Sequence, residues 1–351
     1  MTVYPLIGAT SDATILPQGA ADLLAGDEEN IMVTSQDGLT QCTIAGAGKP
    51  WPGIQDGIIL SDGIKGLTPG FKHIDLKAAR QPGVTWTGTT YDVLEMDMML
   101  QAHANTPKGL SKLVSEWVSM WDPTQLNTFE YWTQDRGYWY FPARLSKPWP
   151  DTMKKMPRLL RAKAFTQTIR CDSGFWYGFP SVDEFQSASG SGFLKFLNIG
   201  DQFGWPTLLF YGPGTFSFGN GQNSKVWIDF GPLKAGQIVL MRTLPRLRTL
   251  TDLTSAPTQS LNGVQELIEA IVNFVYNNNI PPLIQWFESL FGILPPQGPL
   301  YSLLNGRYSI PFPGVRQPQW ATPQYLAVKI TGGNSSSKIV GRIDPQRRWP
   351  E

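Results

Sequence analysis

Two histidines, two cysteines and a scatter of carboxylates carry the most obvious chemistry in this 351-residue chain. His73 and His103 lack partners at metal-ligand spacing, so each reads as an ordinary surface or core histidine. Cys42 and Cys171 are expected to be free buried thiols, with a single disulfide as the alternative. Gly190-Ser191-Gly192 and Gly212-Pro213-Gly214 have no Lys-Ser/Thr after them, so they read as turns and not as phosphate-cradling loops. No Gly-x-Ser-x-Gly elbow occurs. Glycoside hydrolysis needs two carboxyls set across a cleft. Glu95, Asp97, Glu130 and Asp135 are candidates, but they fall on predicted strands or turns where a solvated face supplies carboxylates anyway. No catalytic residue, metal ligand or cofactor is assigned, and the chain is expected not to be an enzyme.

Aromatic side chains offer a different chemistry, that of contact. Phe129, Tyr131, Trp132, Tyr138, Trp139, Tyr140 and Phe141 cluster within two predicted strands. Alternation sends half of them to a core. The others suit a subunit interface, where Trp and Tyr are enriched, or a sugar-stacking platform. The C-terminal run from Arg342 to Glu351 contains Arg347, Arg348 and Trp349 and reads as a docking tail. Interface candidates are therefore Trp132, Trp139, Tyr140, Arg347, Arg348 and Trp349, joined by Trp286 and Phe287 from an apolar stripe described below.

Composition narrows the classes. There are 29 Lys+Arg against 28 Asp+Glu, a net charge of +1, and charged residues make up 16% of the chain. Phosphate neutralisation needs a basic surplus, so no sequence-specific nucleic-acid partner is expected. Thirteen Trp and 12% aromatics argue against disorder. Such a charge-poor surface is an awkward free monomer, which points to contact with other protein. No 18-residue apolar run or signal-peptide pattern is seen. No membrane span is expected, and the protein is expected to be made in a cytoplasm.

The elements that position these residues are mostly strands. Ile31–Thr34 and Tyr91–Leu100 read as strands, and Asp56-Gly57 and Asp62-Gly63 as hairpin-turn signals. A helix is predicted near 107–121, with Thr106 as N-cap, Pro107 at its first position and Asp122-Pro123 as its stop. Strands follow at 127–133, 138–145 and 158–170, closing an N-terminal β-rich, split-barrel-like α+β domain over 1–170. From 171 to 351, short strands between Gly/Pro turns predict a β-sandwich: 193–198, 207–211, 215–218, 225–230, 237–240, 307–312, 325–331 and 338–343. An insertion at about 252–298 carries two apolar helical stripes, one from Leu261 to Val275 and one holding Trp286 and Phe287. This helical hairpin has two uses open to it: packing on its own sandwich, or docking a neighbouring subunit.

Four motifs in order carry a family resemblance. Asp172-Ser173-Gly174-Phe175-Trp176 comes first, then Leu197-Asn198-Ile199-Gly200-Asp201 with Trp205-Pro206 and Tyr211-Gly212-Pro213-Gly214. Leu233-Lys234-Ala235-Gly236-Gln237 with Thr243-Leu244-Pro245-Arg246 follows, Arg242-Thr243 replacing the usual Asp-Thr. Together they resemble the siphophage distal tail protein family. The ending Asp344-Pro345-Gln346-Arg347-Arg348-Trp349-Pro350-Glu351 is similar to minor tail proteins of actinobacterial, mycobacteriophage-like phages. The resemblance implies a ring-forming N-terminal domain and a galectin-like C-terminal sandwich. It implies a homo-hexameric ring at the virion tail tip between a tail tube protein and a tail-tip hub protein, with peripheral baseplate proteins as further partners. Two other roles stay open: a carbohydrate-binding module contacting the host envelope, and another tail protein of related fold, tube-like or hub. Inter-subunit β-contacts are expected to involve the N-terminal domain, because strand segments such as Val84–Thr90 carry no charged gatekeeper.

Overall fold

The computed structural model describes residues 29–79, 82–133, 136–149, 157–245, 248–254 and 298–350. The protein is mainly β, as its short apolar runs and turn residues predict. It divides into two compact units, one of residues 1–176 with 348–351 and the other of residues 177–347.

The first unit opens with β1 (Asn30–Thr34), β2 (Gln41–Ala45) and β3 (Gly57–Lys65). It continues with β4 (Phe71–Leu76), β5 (Thr85–Tyr91) and β6 (Leu94–His103), then helix α1 (Pro107–Met120). β7 (Asn127–Thr133), β8 (Gly137–Leu145), the short α2 (Pro157–Leu160) and β9 (Ala162–Cys171) follow, with β10 (Trp176–Tyr177) at the junction. An antiparallel sheet runs β2-β1-β7-β8-β9-β6-β3, while β4 and β5 form a separate two-stranded sheet. Alternation along β6 buries Leu94, Met96, Met98 and Leu100. The same rule buries Phe129 and Tyr131 on β7 and Trp139 and Phe141 on β8. Trp176 closes this core: its ring meets Phe141 edge-on at 4.6 Å and Phe129 at 5.8 Å, and its indole N–H donates to the Leu67 carbonyl at 2.9 Å.

Helix α1 starts and stops where its sequence says. The Thr106 hydroxyl accepts the Gly109 N–H at 3.0 Å, and Pro107 occupies the first turn. At the other end Asn127 Nδ2 donates to the orphan Met120 carbonyl at 3.0 Å. The helix buries Leu110, Trp117 and Met120, and the Trp117 indole N–H donates to Gln167 Oε1 at 2.8 Å.

Two local readings differ from the structure. Neither Asp-Gly pair is a hairpin turn: Gly57 opens β3, and Asp62-Gly63 lies within it. The register of β3 against β6 slips there, and Gly63 takes φ +85°, so the pair forms a bulge inside one strand. The strand expected over 158–170 is a short helix followed by β9, and the break falls at Arg161, which has φ +53°.

The second unit is a sandwich of two five-stranded antiparallel sheets. One holds β11 (Ser181–Gln186), β20 (Lys338–Ile343), β13 (Thr207–Tyr211), β16 (Ile238–Arg242) and β17 (Thr249–Asp252) in that order. The other holds β12 (Gly190–Phe196), β19 (Gln324–Thr331), β14 (Gly214–Gly219), β15 (Trp227–Leu233) and β18 (Leu304–Asn305). A short helix, α3 (Gly298–Tyr301), precedes β18, and β21 (Gln346–Arg347) ends the unit. Phe210 centres the core, with Phe230, Phe216 and Phe218 at ring distances of 5.0, 5.3 and 5.8 Å. The strand expected over 307–312 is reduced to a single bridge, Gly204 with Phe312.

The run from Leu197 to Gly214 that carried part of the resemblance supplies joints of this sandwich. Asn198 is fully buried: its amide donates to the carbonyls of Gln202 and Pro313 at 3.0 and 3.2 Å, and its oxygen accepts the Gly200 N–H at 3.1 Å. A Cβ at Gly200 would stand 2.2 Å from the Gln346 carbonyl oxygen, so only glycine fits beneath that strand. The Gly212-Pro213 bond is cis, and Ser337 Oγ donates to the Pro213 carbonyl at 2.6 Å.

Candidate interaction surfaces

The candidate carboxylates among the described residues are each held by a hydroxyl. Glu95 accepts from Ser146 Oγ and Asp97 from Thr168 Oγ1, each at 2.5 Å on the outward side of β6. Glu130 is buried on β7 and accepts from Thr34 Oγ1 at 2.5 Å. Burial pushes its carboxyl above the usual range, opposed by the Thr34 and Tyr138 hydroxyls. Asp135 lies outside the described residues. Asp172 is held by Arg144 at 3.0 Å and Arg170 at 2.8 Å.

The histidines and cysteines are separate. His73 is exposed on β4, where its Nδ1 lies 3.2 Å from Thr89 Oγ1. His103 is buried at the end of β6, and neither ring nitrogen has a hydrogen-bond partner among the described residues. Cys42 and Cys171 are free thiols, and burial raises both above their ordinary range. Among the described residues no three His, Cys, Asp or Glu side chains are placed to hold a metal ion. No helix among them is long and apolar enough to cross a membrane.

Of the residues expected at interfaces, several belong to their own unit's interior. Trp139 is 0% exposed, with its indole N–H donating to the Arg136 carbonyl at 3.0 Å. Tyr140 is buried on the opposite face of β8. The aromatic alternation was read correctly, but both faces of this strand pair are covered, so these two side chains offer a partner no surface. Arg347 is also buried, and its guanidinium donates to the Arg316 carbonyl at 3.2 Å. Trp132 is half-buried. Arg348 stacks 5.1 Å over the Trp349 ring, which keeps 37% of its surface in water. Trp286 and Phe287 lie outside the described residues.

The surface that stands out is the β4–β5 hairpin, of which the sequence singles out Val84–Thr90 but not Phe71–Leu76. Every residue of β4 is exposed. Phe71, His73 and Asp75 line one face with Tyr91, Thr89 and Trp86, while Ile74 and Leu76 occupy the other. The Trp86 indole N–H donates to Thr89 Oγ1 at 3.2 Å, and Thr87 Oγ1 donates to the Ile74 carbonyl at 2.6 Å. Phe71, Leu76 and Trp86 each keep about three-fifths of their surface in water, and Ile74 and Val84 about half. Exposed apolar side chains thus stand on both faces, Phe71 and Trp86 on one and Ile74 and Leu76 on the other. Among the described residues the two strands pair only with each other, so each presents an open edge. An isolated two-stranded hairpin is marginal in water, and an open apolar edge invites a partner strand. The signal for it in the sequence is the Thr-rich, charge-free stretch Val84–Thr90 facing Phe71–Leu76.

No protein-family model and no curated protein sequence matches the chain. Among solved structures it is similar to the SPP1 Dit protein, described as a paradigm of the hub adsorption apparatus in phages that infect Gram-positive bacteria. That match has 10% identity and a TM-score of 0.47, covering 90% of this chain and 98% of that one. It is also similar to a chain of the phage P2 baseplate in its activated conformation with calcium, at 9% identity and a TM-score of 0.44 over 90% of this chain and 98% of the other. The strontium form of that baseplate gives 9% identity and a TM-score of 0.44 over 89% and 97%.

Proposed function

We propose that this chain is a structural subunit of a phage tail tip, a distal tail ring protein that works by assembly without catalysis. Six copies close into a ring through the first unit, with a tail tube protein on one face and a tail-tip hub protein on the other. Peripheral baseplate proteins dock around it. The protein is made in the host cytoplasm and ends in the virion tail. The observation that carries this reading is the β4–β5 hairpin, with exposed apolar side chains on both faces and both edges open among the described residues. A hairpin of one copy laid on a different surface of the next makes a head-to-tail contact, and such contacts close into rings. The ordered motifs from Asp172 to Arg246 support the family.

Mass photometry of the purified full chain tests it. A species of six copies is expected, and Trp86→Glu combined with Phe71→Ser is expected to leave monomer with its fold intact by circular dichroism. A wild-type chain that stays monomeric at every concentration, or a double variant that assembles unchanged, overturns the reading.

A further inference from the structure

The sheet β11-β20-β13-β16-β17 is apolar on both faces, and only one of them belongs to the core of the sandwich. Leu208, Phe210, Val239, Met241, Leu250 and Ile339 point inward, against the other sheet. The alternate residues point away from it, where a solvated face is normally polar. Here one row runs Val340, Leu209, Leu240 and Thr251, each directly opposite the next. These are 0, 0, 3 and 5% exposed. Beside them Ile238 is half-buried, and Leu253, whose N–H donates to the Ile238 carbonyl at 2.8 Å, is buried. Thr249 Oγ1 on the same face is buried without a hydrogen-bond partner among the described residues. The facing sheet lies on the other side, so a further part of this chain shields the row from water.

The chain leaves this face at Thr254, directly after Leu253. It returns at α3, where the Tyr301 hydroxyl accepts the Leu250 N–H of β17 at 3.3 Å. Both ends of residues 255–297 therefore sit at the β17 edge, as the ends of two antiparallel helices would. As a helix, the apolar stripe from Leu261 to Val275 is about 22 Å long, and five strands span about 19 Å. Two helices side by side, about 8–10 Å between axes, fill that width. Charge agrees. The segment carries Glu266, Glu269 and Glu288 and no Lys or Arg. On the face stand Arg242, Arg342 paired with Asp344, and Lys338 paired with Glu184. Asp252, at the far end of β17, is bound by Gln237 Nε2. At the start of β17, desolvation and the nearby Arg307 charge hold Arg248 below its usual range, a strain that a carboxylate relieves.

We propose that residues 255–297 fold back as two helices on this outer face and are its cover. Their apolar stripes lie on the row of Val340, Leu209 and Leu240, and their glutamates turn toward the arginines of the β17 edge. Each amphipathic stripe needs an apolar surface to bury it, and this row needs a cover that is apolar at its centre. The segment is then a layer of its own sandwich and presents no apolar stripe to another molecule. The inference is independent of the ring assembly, whose proposed contact lies on the first unit.

Hydrogen exchange of the purified full chain, read by mass spectrometry above and below the concentration at which copies associate, tests it. Amides in both stripes are expected to exchange at least about a hundredfold more slowly than in an unstructured chain, equally at both concentrations. Leu240→Asp sets a charge beneath the segment and is expected to remove that protection. Leu240→Ala, the milder change, is expected to reduce it by about tenfold and decides the matter where the charged variant fails to fold. Phe193→Asp, at an exposed position on the outer face of the other sheet, is expected to leave it unchanged, which separates a lost contact from a lost fold. Fast exchange of both stripes in the wild-type chain overturns the proposal. Protection seen only in the associated state also overturns it, and assigns the segment to contact between copies. Protection that survives both Leu240 variants overturns it as well, since the segment then packs elsewhere.

Discussion

Glu130 lies in the interior of the first unit with a carboxyl that burial holds above its ordinary pKa. A carboxyl raised in the fold favours its protonated form there. Its contribution to stability is complete below the unfolded pKa, near 4.3, and is lost as pH rises through the folded value. At neutral pH the charge is a burden that the Thr34 and Tyr138 hydroxyls only partly offset. Glu130→Gln keeps the shape and an acceptor for Thr34 without the charge. It is expected to stabilise the unit by about 1 kcal/mol at pH 7 and by nothing at pH 4. Urea unfolding at the two pH values checks this, and a variant less stable than wild type at pH 7 defeats it. Asn198 is the opposite case, a buried polar side chain with three hydrogen bonds made. Asn198→Ala leaves the Gln202 carbonyl and the Gly200 N–H without these bonds, while Pro313 keeps the Gln324 amide, and is expected to cost about 2–3 kcal/mol, read as a lowered unfolding midpoint.

At the scale of elements, α1 shows how much a local signal decides. Thr106→Ala removes the cap from Gly109 N–H and is expected to cost about 1 kcal/mol in urea unfolding, with Thr106→Ser restoring most of it. This helix was legible because cap, proline and apolar spacing agree, and β7 and β8 were legible because alternation and the turn at Gly137 agree. Other elements were hidden for physical reasons. A break at Arg161 depends on a φ that side-chain pattern does not encode, and Asp62-Gly63 serves a bulge as well as a turn. The β4–β5 hairpin has no buried face, so its alternation says nothing about where a core lies. Trp139 and Tyr140 were read as contact residues because one strand cannot reveal that both of its faces are covered. Sequence spacing likewise cannot place Phe193 beside Ala327 or Trp227 beside Gly219, which only the pairing of β12 with β19 and of β14 with β15 brings about.

At the scale of the whole molecule, a net charge of +1 and exposed apolar side chains predict how the proposed ring responds to salt and temperature. Assembly led by opposite charges weakens as salt shortens the screening length from roughly 14 Å at 0.05 M to 4 Å at 0.5 M. Assembly led by Phe71, Ile74, Leu76 and Trp86 lacks that dependence, since burial of apolar area does not rely on long-range charge. Its signature is thermal: the drive fades on cooling and the association carries a negative heat-capacity change. The dissociation constant of the wild-type chain is therefore expected to shift by less than about threefold, under 0.7 kcal/mol, across that salt range. It is expected to rise measurably between 25 °C and 5 °C. Sedimentation velocity at the two salt concentrations and two temperatures measures both. Dissociation on adding salt, or tighter association in the cold, would move the contact away from the hairpin and onto the charged faces of the molecule.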